Sequence, residues 1–298
     1  MRLVQLSVPA STANLGSGFD SLGLGLELRN SLEMEVVAEG LDIEIEGEGE
    51  RDLPRDETNL MVRAAEAFFQ RIGKKPSGLR LRATNRIPLS SGLGSSAAAV
   101  VAAVAAANQL MDGGLSNNDL LSFAERIEGH ADNAAASIFG GLNLVRADGD
   151  VVVSRQVEIP ELRVAVAHPD FGLSTKQMRQ VLPGEVPLED AAFNLGSALL
   201  SVEALRSGDY SLLAQVMEDR LHQPTRASHI PGYTKVTGSA RNAGAAGVAL
   251  SGAGPSLVAF GPSGHEKIAQ AMVEAWADVG VKSRGFVLSA ARRGVTRE

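Results

Sequence analysis

Hydrophobic and polar residues alternate with a period of two in three stretches of the first hundred residues: "LVQLSVP", "LEMEVVAEGLDIEIEG" and "GLRLRATNRIP" (Gly78 to Pro88). This period is typical of strands with one buried face, so each stretch predicts strand structure. Between the second and third, "ETNLMVRAAEAFFQRIG" repeats apolar residues at helical spacing and reaches Gly73. That stretch predicts a helix that stops at a glycine.

Helical spacing dominates the next fifty residues. Helices are predicted from about 95 to 111 and from about 116 to 128, the second with a Ser/Asn cap at its start. A shorter Ala-rich helix, "NAAASIF", runs to the stop at Gly140–Gly141. Asp148–Gly149 then stands between two apolar runs, which indicates a β-hairpin.

The pattern changes near Pro160. "ELRVAVAHPD" and the last apolar run, "SRGFVLSA", predict strands, and "AGVALSGAGPSLVAF" predicts two strands joined by a glycine turn. Helical segments are predicted at about 175–182, 188–206, 209–221, 232–243 and 264–279. A chain of 298 residues is long enough for about two domains. We therefore predict two packed α+β domains, residues 1–158 and 159–298.

Composition and charge narrow the classes of function. The net charge of −7 gives no support for a nucleic-acid or anionic-membrane partner. The chain has no cysteine, which excludes disulfides and thiolate chemistry and fits a cytoplasmic protein. The Ala-rich run after Ser96 reaches polar Asn108 before the ~20 apolar residues of a membrane span are complete. It predicts a buried helix in a soluble protein.

The stretch "PLSSGLGSSAAAVVAAV" (Pro88 to Val104) places glycines and serines directly before a predicted helix. It could be a tight turn that uses glycine for positive φ, a dinucleotide fingerprint, or a phosphate cradle made by backbone N–H groups at a helix N-terminus. A dinucleotide site needs an acidic residue at the end of a strand ~20 positions further on, and none stands there. A Walker A sequence is absent too. The turn and the cradle remain open.

Two other stretches share this small and polar character. "PASTANLGSGFDSLGLGL" (Pro9 to Leu26) follows the first strand, and its candidate functional side chains are Asn14 and Asp20; an Asx-type turn is the structural alternative. "LSGAGPSLVAF" (Leu250 to Phe260) carries a glycine turn that is longer and more polar than a hairpin needs.

Taken together, in this order, the three stretches resemble the three motifs of the GHMP kinases, which phosphorylate galactose, homoserine, mevalonate, phosphomevalonate and similar small molecules. The Pro-x3-Gly-Leu-Gly-Ser-Ser-Ala pattern stands complete at Pro88 to Ala97. The resemblance implies a two-domain α+β architecture, with an N-terminal ribosomal-protein-S5-domain-2-like α/β domain and a C-terminal ferredoxin-like domain. It also implies ATP as co-substrate and a homodimer.

On the phosphate side, the resemblance implies that Mg²⁺ is bound by Ser96 and Glu128. This is physically reasonable, since Mg²⁺ is usually held by one or two protein oxygens together with phosphates and water. Asn59 matches a position near the adenine, although a role beside a helix cap is nearly as good an interpretation. The implied ATP-binding set is Asn59, Pro88, Leu89, Ser90, Ser91, Gly92, Leu93, Gly94, Ser95, Ser96, Ala97 and Ala98.

On the acceptor side, "IEGHADNAAASIFGG", "LSTKQMRQVLP" and "PTRASHIPGY" resemble the branch of the family that phosphorylates the side-chain hydroxyl of L-homoserine. A zwitterionic amino acid needs a bidentate cation for its carboxylate and an acceptor for its ammonium, which arginines and an aspartate supply. The implied pocket is Asn14, Asp20, His130, Asn133, Thr175, Arg179, Arg226 and Gly252, with Asp20 as the catalytic candidate. Gln223 stands where this branch often has an acid, so we expect Arg226 to lack one neighbour.

Two alternatives stay open at this point. Another GHMP kinase could act on a different alcohol of the shikimate or mevalonate type, although a phosphorylated substrate should need more cations than Arg179 and Arg226. A catalytically silent nucleotide-binding protein is the other alternative. The presence of Ser96, Glu128 and Asp20 argues against it, because a silent relative is expected to lose one of them.

Overall fold

The structure, a computed structural model, describes residues 3–298. Its strands are β1 (Leu3–Ala13), β2 (Leu22–Val37), β3 (Gly40–Gly47), β4 (Gly78–Asn85), β5 (Leu142–Asp148), β6 (Val151–Val157), β7 (Arg163–Pro169), β8 (Gly247–Leu250), β9 (Leu257–Phe260), β10 (Ser283–Ser289) and β11 (Thr296–Arg297). Its helices are α1 (Leu60–Ile72), α2 (Ser95–Leu110), α3 (Asn117–Glu128), α4 (Asp132–Phe139), α5 (Thr175–Gln180), α6 (Leu188–Ser207), α7 (Tyr210–Val216), α8 (Gln223–Ala227), α9 (Tyr233–Asn242) and α10 (His265–Ala277). None of these helices is long and apolar enough to cross a membrane.

The first sheet has the order β11-β1-β2-β4-β3, and β5 pairs with both β2 and β6. The long strand β2 joins its two halves: Leu22–Leu24 pair with β5, whereas Ser31–Val37 pair with β4. Most pairs are antiparallel, but β3 and β4 run parallel. The predicted hairpin at Asp148–Gly149 is confirmed by the pairing of Asp148 with Val151.

The second sheet has the order β10-β7-β9-β8 and is antiparallel throughout. The chain passes from the first sheet to the second between Val157 and Arg163, and the short strand β11 then returns to the first sheet beside β1. The mixed α and β content agrees with the predicted class. The division at 158/159 stays a prediction.

The alanine-rich helix α2 lies in the core of the first domain. Eleven of its residues are buried, among them Val100, Val101 and Val104. A helix that is apolar around its whole circumference needs packing partners on all sides, and α2 contacts α1, α3, α4, β1 and β2. The phosphate-cradle candidate at its N-terminus is therefore held by a helix that is packed on all sides.

Two of the differences from the sequence prediction lie close to the three motifs or the acceptor-side residues. The helix expected over 209–221 ends at Val216, because Asp219 accepts hydrogen bonds from the backbone N–H groups of Leu221, His222 and Gln223 and so starts the separate helix α8. Strand β1 continues to Ala13, so the first part of the "PASTANLGSGFD" stretch is strand rather than loop. The predicted cap of α3 is confirmed: Ser116 and Asp119 form a reciprocal capping box.

Candidate active site

The glycine loop enters α2 through three residues with positive φ: Ser90 (50°), Gly92 (82°) and Gly94 (72°). Gly94 is the N-cap of α2 and makes no side-chain cap, so the first N–H groups of the helix are not satisfied by a capping side chain. Unpaired N–H groups and the positive end of the helix dipole together favour an anion at this position.

Backbone hydrogen bonds join the glycine loop to the other two stretches of interest. Ser11 N–H donates to Leu93 O at 3.0 Å, which ties the first stretch to the loop. Ser256 N–H donates to Ser91 O at 3.1 Å, which ties the third stretch to it. The three motifs, distant in sequence, thus meet at the glycine loop.

Asn14 fixes the position of the first motif. Its side-chain Nδ2 donates to Gly252 O at 2.9 Å, and its Oδ1 accepts from Asp20 N–H at 3.0 Å. Asn14 and Asp20 both have positive φ, 69° and 53°, a conformation that Asn and Asp adopt more readily than other residues with a side chain. The buried amide of Asn14 therefore sets the orientation of Asp20.

A cavity of about 300 Å³ lies where the three motifs meet. All eight residues of the predicted substrate pocket line it, together with the predicted metal pair Ser96 and Glu128 and most of the glycine loop. The complete lining is Asn14, Asp20, Ser90, Ser91, Gly92, Gly94, Ser95, Ser96, Ala97, Glu128, His130, Asp132, Asn133, Leu173, Ser174, Thr175, Lys176, Arg179, Arg226, Gly252 and Ala253.

Five residues of the predicted ATP set do not line this cavity: Asn59, Pro88, Leu89, Leu93 and Ala98. Asn59 is the N-cap of α1, where its Oδ1 accepts from Met61 N–H at 2.9 Å, as in the alternative interpretation of this residue. The N–H of Leu93 is taken by Ser91 Oγ, and that of Ala98 by the carbonyl of Gly94. A nucleotide contact for each of the five stays a prediction.

Ser96 and Glu128 come from different helices and touch each other. Ser96 Oγ donates to Glu128 Oε1 at 2.7 Å at the edge of the cavity. No group of three or more His, Asp or Glu side chains that could hold a metal occurs within residues 3–298. Two adjacent hard oxygens beside the candidate phosphate cradle fit Mg²⁺, which usually takes its remaining ligands from phosphate and water.

Asp20 and Arg179 form a two-point ion pair, Nη1–Oδ2 at 2.9 Å and Nη2–Oδ1 at 2.7 Å. The hydrogen bond to Asp20 raises the pKa of Arg179 despite partial burial. The guanidinium carbon of Arg179 also lies 5.7 Å from the centre of the Phe19 ring, and that of Arg226 lies 5.4 Å from it. The Phe19 ring is thus in cation–π contact with two arginines that line the cavity.

Arg226 is 1% exposed and is held by acceptors from three segments: Met178 O, His222 Nδ1 and Gly252 O. Burial and the charge of Arg179 lower the pKa of Arg226 from its usual value. As expected, Gln223 is not a neighbour that holds Arg226: its Oε1 accepts from Leu250 N–H at 2.7 Å, so this side chain serves β8.

His130 pairs with Asp132, which the sequence analysis did not select. The distance from Nδ1 to Oδ1 is 2.9 Å, and the same carboxylate oxygen accepts from Asn133 N–H. Burial lowers the pKa of His130, but the hydrogen bond and charge of Asp132 outweigh it, so the net pKa is raised. Lys176 also lines the cavity. The only sequence observation that could have selected Lys176 is its position beside Thr175 in "STKQMR".

Comparisons with known proteins agree with this geometry. Residues 59–141 match the family model of the GHMP kinases N terminal domain, and residues 201–278 match that of the GHMP kinases C terminal domain. A homoserine kinase of Moorella thermoacetica is 45% identical over 92% of this chain and 93% of its own length. One from Carboxydothermus hydrogenoformans is 39% identical over 98% of this chain and 96% of its own length.

Comparison with solved structures supports the same family. The crystal structure of homoserine kinase from Cytophaga hutchinsonii superposes with a TM-score of 0.90 at 31% identity and covers 100% of this chain and 98% of its own. The mevalonate kinase of L. major, at 20% identity and a TM-score of 0.68, covers 97% of this chain and 94% of its own, and shows the common fold alone. The chain belongs to the GHMP kinase family and, within it, to the homoserine kinases. The predicted fold and family are confirmed, and the protein is an ATP-dependent kinase that acts on an alcohol.

Proposed function

We propose that this protein transfers the γ-phosphoryl group of ATP to the side-chain hydroxyl of L-homoserine. The observation that carries the proposal is the arrangement of charge in one cavity. At one end Asp20, Arg179 and Arg226 offer one anion and two cations to a zwitterionic amino acid. The glycine loop and the Ser96–Glu128 pair also line this cavity and offer N–H groups and hard oxygens to a nucleotide phosphate.

On the nucleotide side, the loop from Ser90 to Ser96 supplies backbone N–H groups, and the N-terminus of α2 adds its positive dipole end. The dipole is worth about 0.3–1 kcal/mol per charge when exposed and up to ~2 kcal/mol when partly buried. Ser96 and Glu128 would hold Mg²⁺, which when bound neutralises charge on phosphate oxygens. Phosphoryl transfer depends mainly on such positioning and charge stabilisation, so the loop does most of what the chemistry requires.

On the acceptor side, the buried guanidinium of Arg226 has one nitrogen, Nη2, for which the described residues supply no hydrogen-bond partner. We assign this nitrogen and Arg179 to the substrate carboxylate. Asp20 is assigned to orientation of the substrate and, second, to acceptance of the hydroxyl proton. A loose transition state develops little charge on the attacking oxygen, so a strong base is not required and the proton can pass to phosphate.

The direct test is ADP release with MgATP, comparing L-homoserine with shikimate, mevalonate, L-serine and L-threonine at equal concentration. We expect L-homoserine to be turned over far faster than the other four. Faster turnover of another alcohol would keep the phosphate side of the proposal and overturn the acceptor side. ATP binding without turnover of any of the five would support the silent nucleotide-binding protein instead.

We also propose a cytoplasmic homodimer. Leu188, Leu195 and Leu199 lie on one face of α6 and are 85%, 65% and 65% exposed. Gly196 beside them has open space at its Cβ position, so a second copy of the helix can approach closely. Light scattering after gel filtration should give a dimer for the native chain and a monomer for the double variant Leu195→Glu, Leu199→Glu. Val151→Glu, at another exposed apolar position, is the control and should leave the dimer intact.

A further inference from the structure

His222 lies outside the cavity lining, yet it contacts both sides of the acceptor pocket. Its side chain is fully buried. Nε2 lies 2.8 Å from Gly16 O in the loop that carries Asn14 and Asp20, and Nδ1 lies 3.2 Å from Arg226 Nη1. One imidazole ring therefore bridges the first motif and the buried arginine.

The two partners determine the protonation of the ring. The carbonyl of Gly16 can only accept, so Nε2 carries the hydrogen; the guanidinium of Arg226 can only donate, so Nδ1 presents its lone pair. A second proton on the ring would place two donors opposite each other. The bridge therefore requires the neutral Nε2–H tautomer. Phe19 stacks on the ring at 5.2 Å between centres, which adds a second contact to the loop that contains Gly16.

The backbone of His222 is fixed in its turn by Asp219, whose carboxylate is buried. Its Oδ2 accepts from His222 N–H at 2.9 Å, and its Oδ1 accepts from Asn194 Nδ2 at 2.7 Å. Asn194 Nδ2 also donates to Ser17 O, so α6 is tied to the same loop. These hydrogen bonds restrict movement of the His222 imidazole.

We propose that His222 is a positioning residue for the acceptor amino acid. As a neutral imidazole it directs the guanidinium of Arg226 toward the cavity and keeps the Gly16–Asp20 loop at a fixed distance from it. Substrate is not touched by His222 itself. The proposal rests on the proposed function in one respect, since it takes Arg226 to be a ligand of the substrate carboxylate.

The experiment compares His222→Leu, His222→Asn and His222→Gln. Loss of a hydrogen bond to a buried charged group predicts that His222→Leu raises KM for L-homoserine by about 10- to 100-fold. KM for ATP should stay within about twofold of the native value, because the nucleotide side is not touched. The amide of Asn can reach the position of Nδ1 and accept from Arg226, whereas the amide of Gln reaches the position of Nε2 and Gly16. His222→Asn should therefore restore more of the homoserine affinity than His222→Gln.

The control is His265→Leu. His265 is also buried and its Nε2 bonds the carbonyl of Gly261, so its loss should lower Tm without raising KM for L-homoserine. The proposal is wrong if His222→Leu lowers Tm as His265→Leu does and leaves KM for L-homoserine unchanged, or if it raises both KM values equally. If His222→Leu does not fold, the Asn variant, which keeps the bond to Arg226, and the Gln variant, which keeps the bond to Gly16, provide the same comparison of KM values.

A second measurement is independent of turnover. The ¹⁵N NMR shifts of the His222 ring, recorded on the protein without substrates, should be those of a neutral imidazole with its proton on Nε2. A doubly protonated ring or the Nδ1–H tautomer would overturn the proposal whatever the acceptor is. Absence of homoserine turnover in the native enzyme, with the expected ring spectrum, would count against the proposed substrate and leave the bridge standing.

Discussion

Asp20 and Arg179 stand 159 positions apart in the chain and face each other through two hydrogen bonds of 2.7 Å and 2.9 Å. Asp20 is assigned to the ammonium group and Arg179 to the carboxylate of the same amino acid. In this structure the two side chains neutralise each other's charge. Binding of an amino acid must then exchange or share this pair. Because both side chains are about one-third exposed, the pair is reachable from the cavity.

Asp20→Asn separates the two roles of this carboxylate. The amide keeps the shape but cannot balance an ammonium group, so we expect KM for L-homoserine to rise about tenfold or more with KM for ATP little changed. Steady-state kinetics in both substrates measure this. A fall of about 100-fold or more in kcat with KM intact would instead make Asp20 the proton acceptor. Asp278→Asn, which removes an exposed pair with Lys235, is the matched control.

Glu128→Gln and Ser96→Ala should each raise the Mg²⁺ concentration needed for half-maximal activity. Each variant removes one of two adjacent oxygens, and the cation has few other protein ligands to choose from. Titration of activity with Mg²⁺ at fixed ATP gives the half-saturation point. Glu125→Gln, one turn earlier on α3 and outside the cavity lining, should not move it. An unchanged Mg²⁺ curve in both test variants would remove these residues from the metal site.

Gly92→Ala tests the close approach of the loop to the third motif. A Cβ at this position would overlap the backbone oxygens of Ser251 and Gly254, and φ is +82°. Neither backbone atom can move aside cheaply, so we expect a loss of about 2 kcal/mol or more in unfolding free energy and a clear loss of ATP affinity. Gly149→Ala is the control: φ is +56° but the space is open, so only about 1 kcal/mol should be lost. Equal losses in chemical denaturation would contradict the steric argument.

His130 should make stability depend on pH. Its folded pKa is raised above the ordinary 6.5, so the folded state binds the proton more tightly than the unfolded state. The resulting stabilisation is complete below pH 6.5 and is lost as the pH rises through the raised pKa. The difference in Tm between the native chain and His130→Gln should therefore shrink with increasing pH. A difference that grows with pH would mean that the pKa is lowered.

The local features of the site could be predicted from the sequence. Glycines at 92 and 94 indicated positive φ before a helix, and the Ser116 cap and the Asp148–Gly149 hairpin followed from short-range rules. The cap formed by Asn59 is a further local feature, because an amide before a helix satisfies a backbone N–H without any help from the rest of the fold. The adenine contact that the family position suggests for Asn59 stays a prediction.

The partners of the functional side chains could not be predicted in this way. The sequence indicated that Arg226 lacks a neighbour at Gln223, but not that its contacts come from Met178, His222 and Gly252. Gln223 faces β8. Residues of α8 point in different directions around a single turn, and only the packing of that turn decides which of them reaches the cavity.

The periodic strands, the apolar helix α2, the glycine loop and, through the order of three motifs, the family could all be inferred from the sequence. These properties depend on near neighbours, which set φ, hydrogen-bond caps and the buried face of each element. The contact of Asp20 with Arg179 and the bridge that His222 makes between Gly16 and Arg226 became visible only in the folded chain. Such pairs are brought together by the packing of two sheets and their helices, and no local pattern encodes the distance between them.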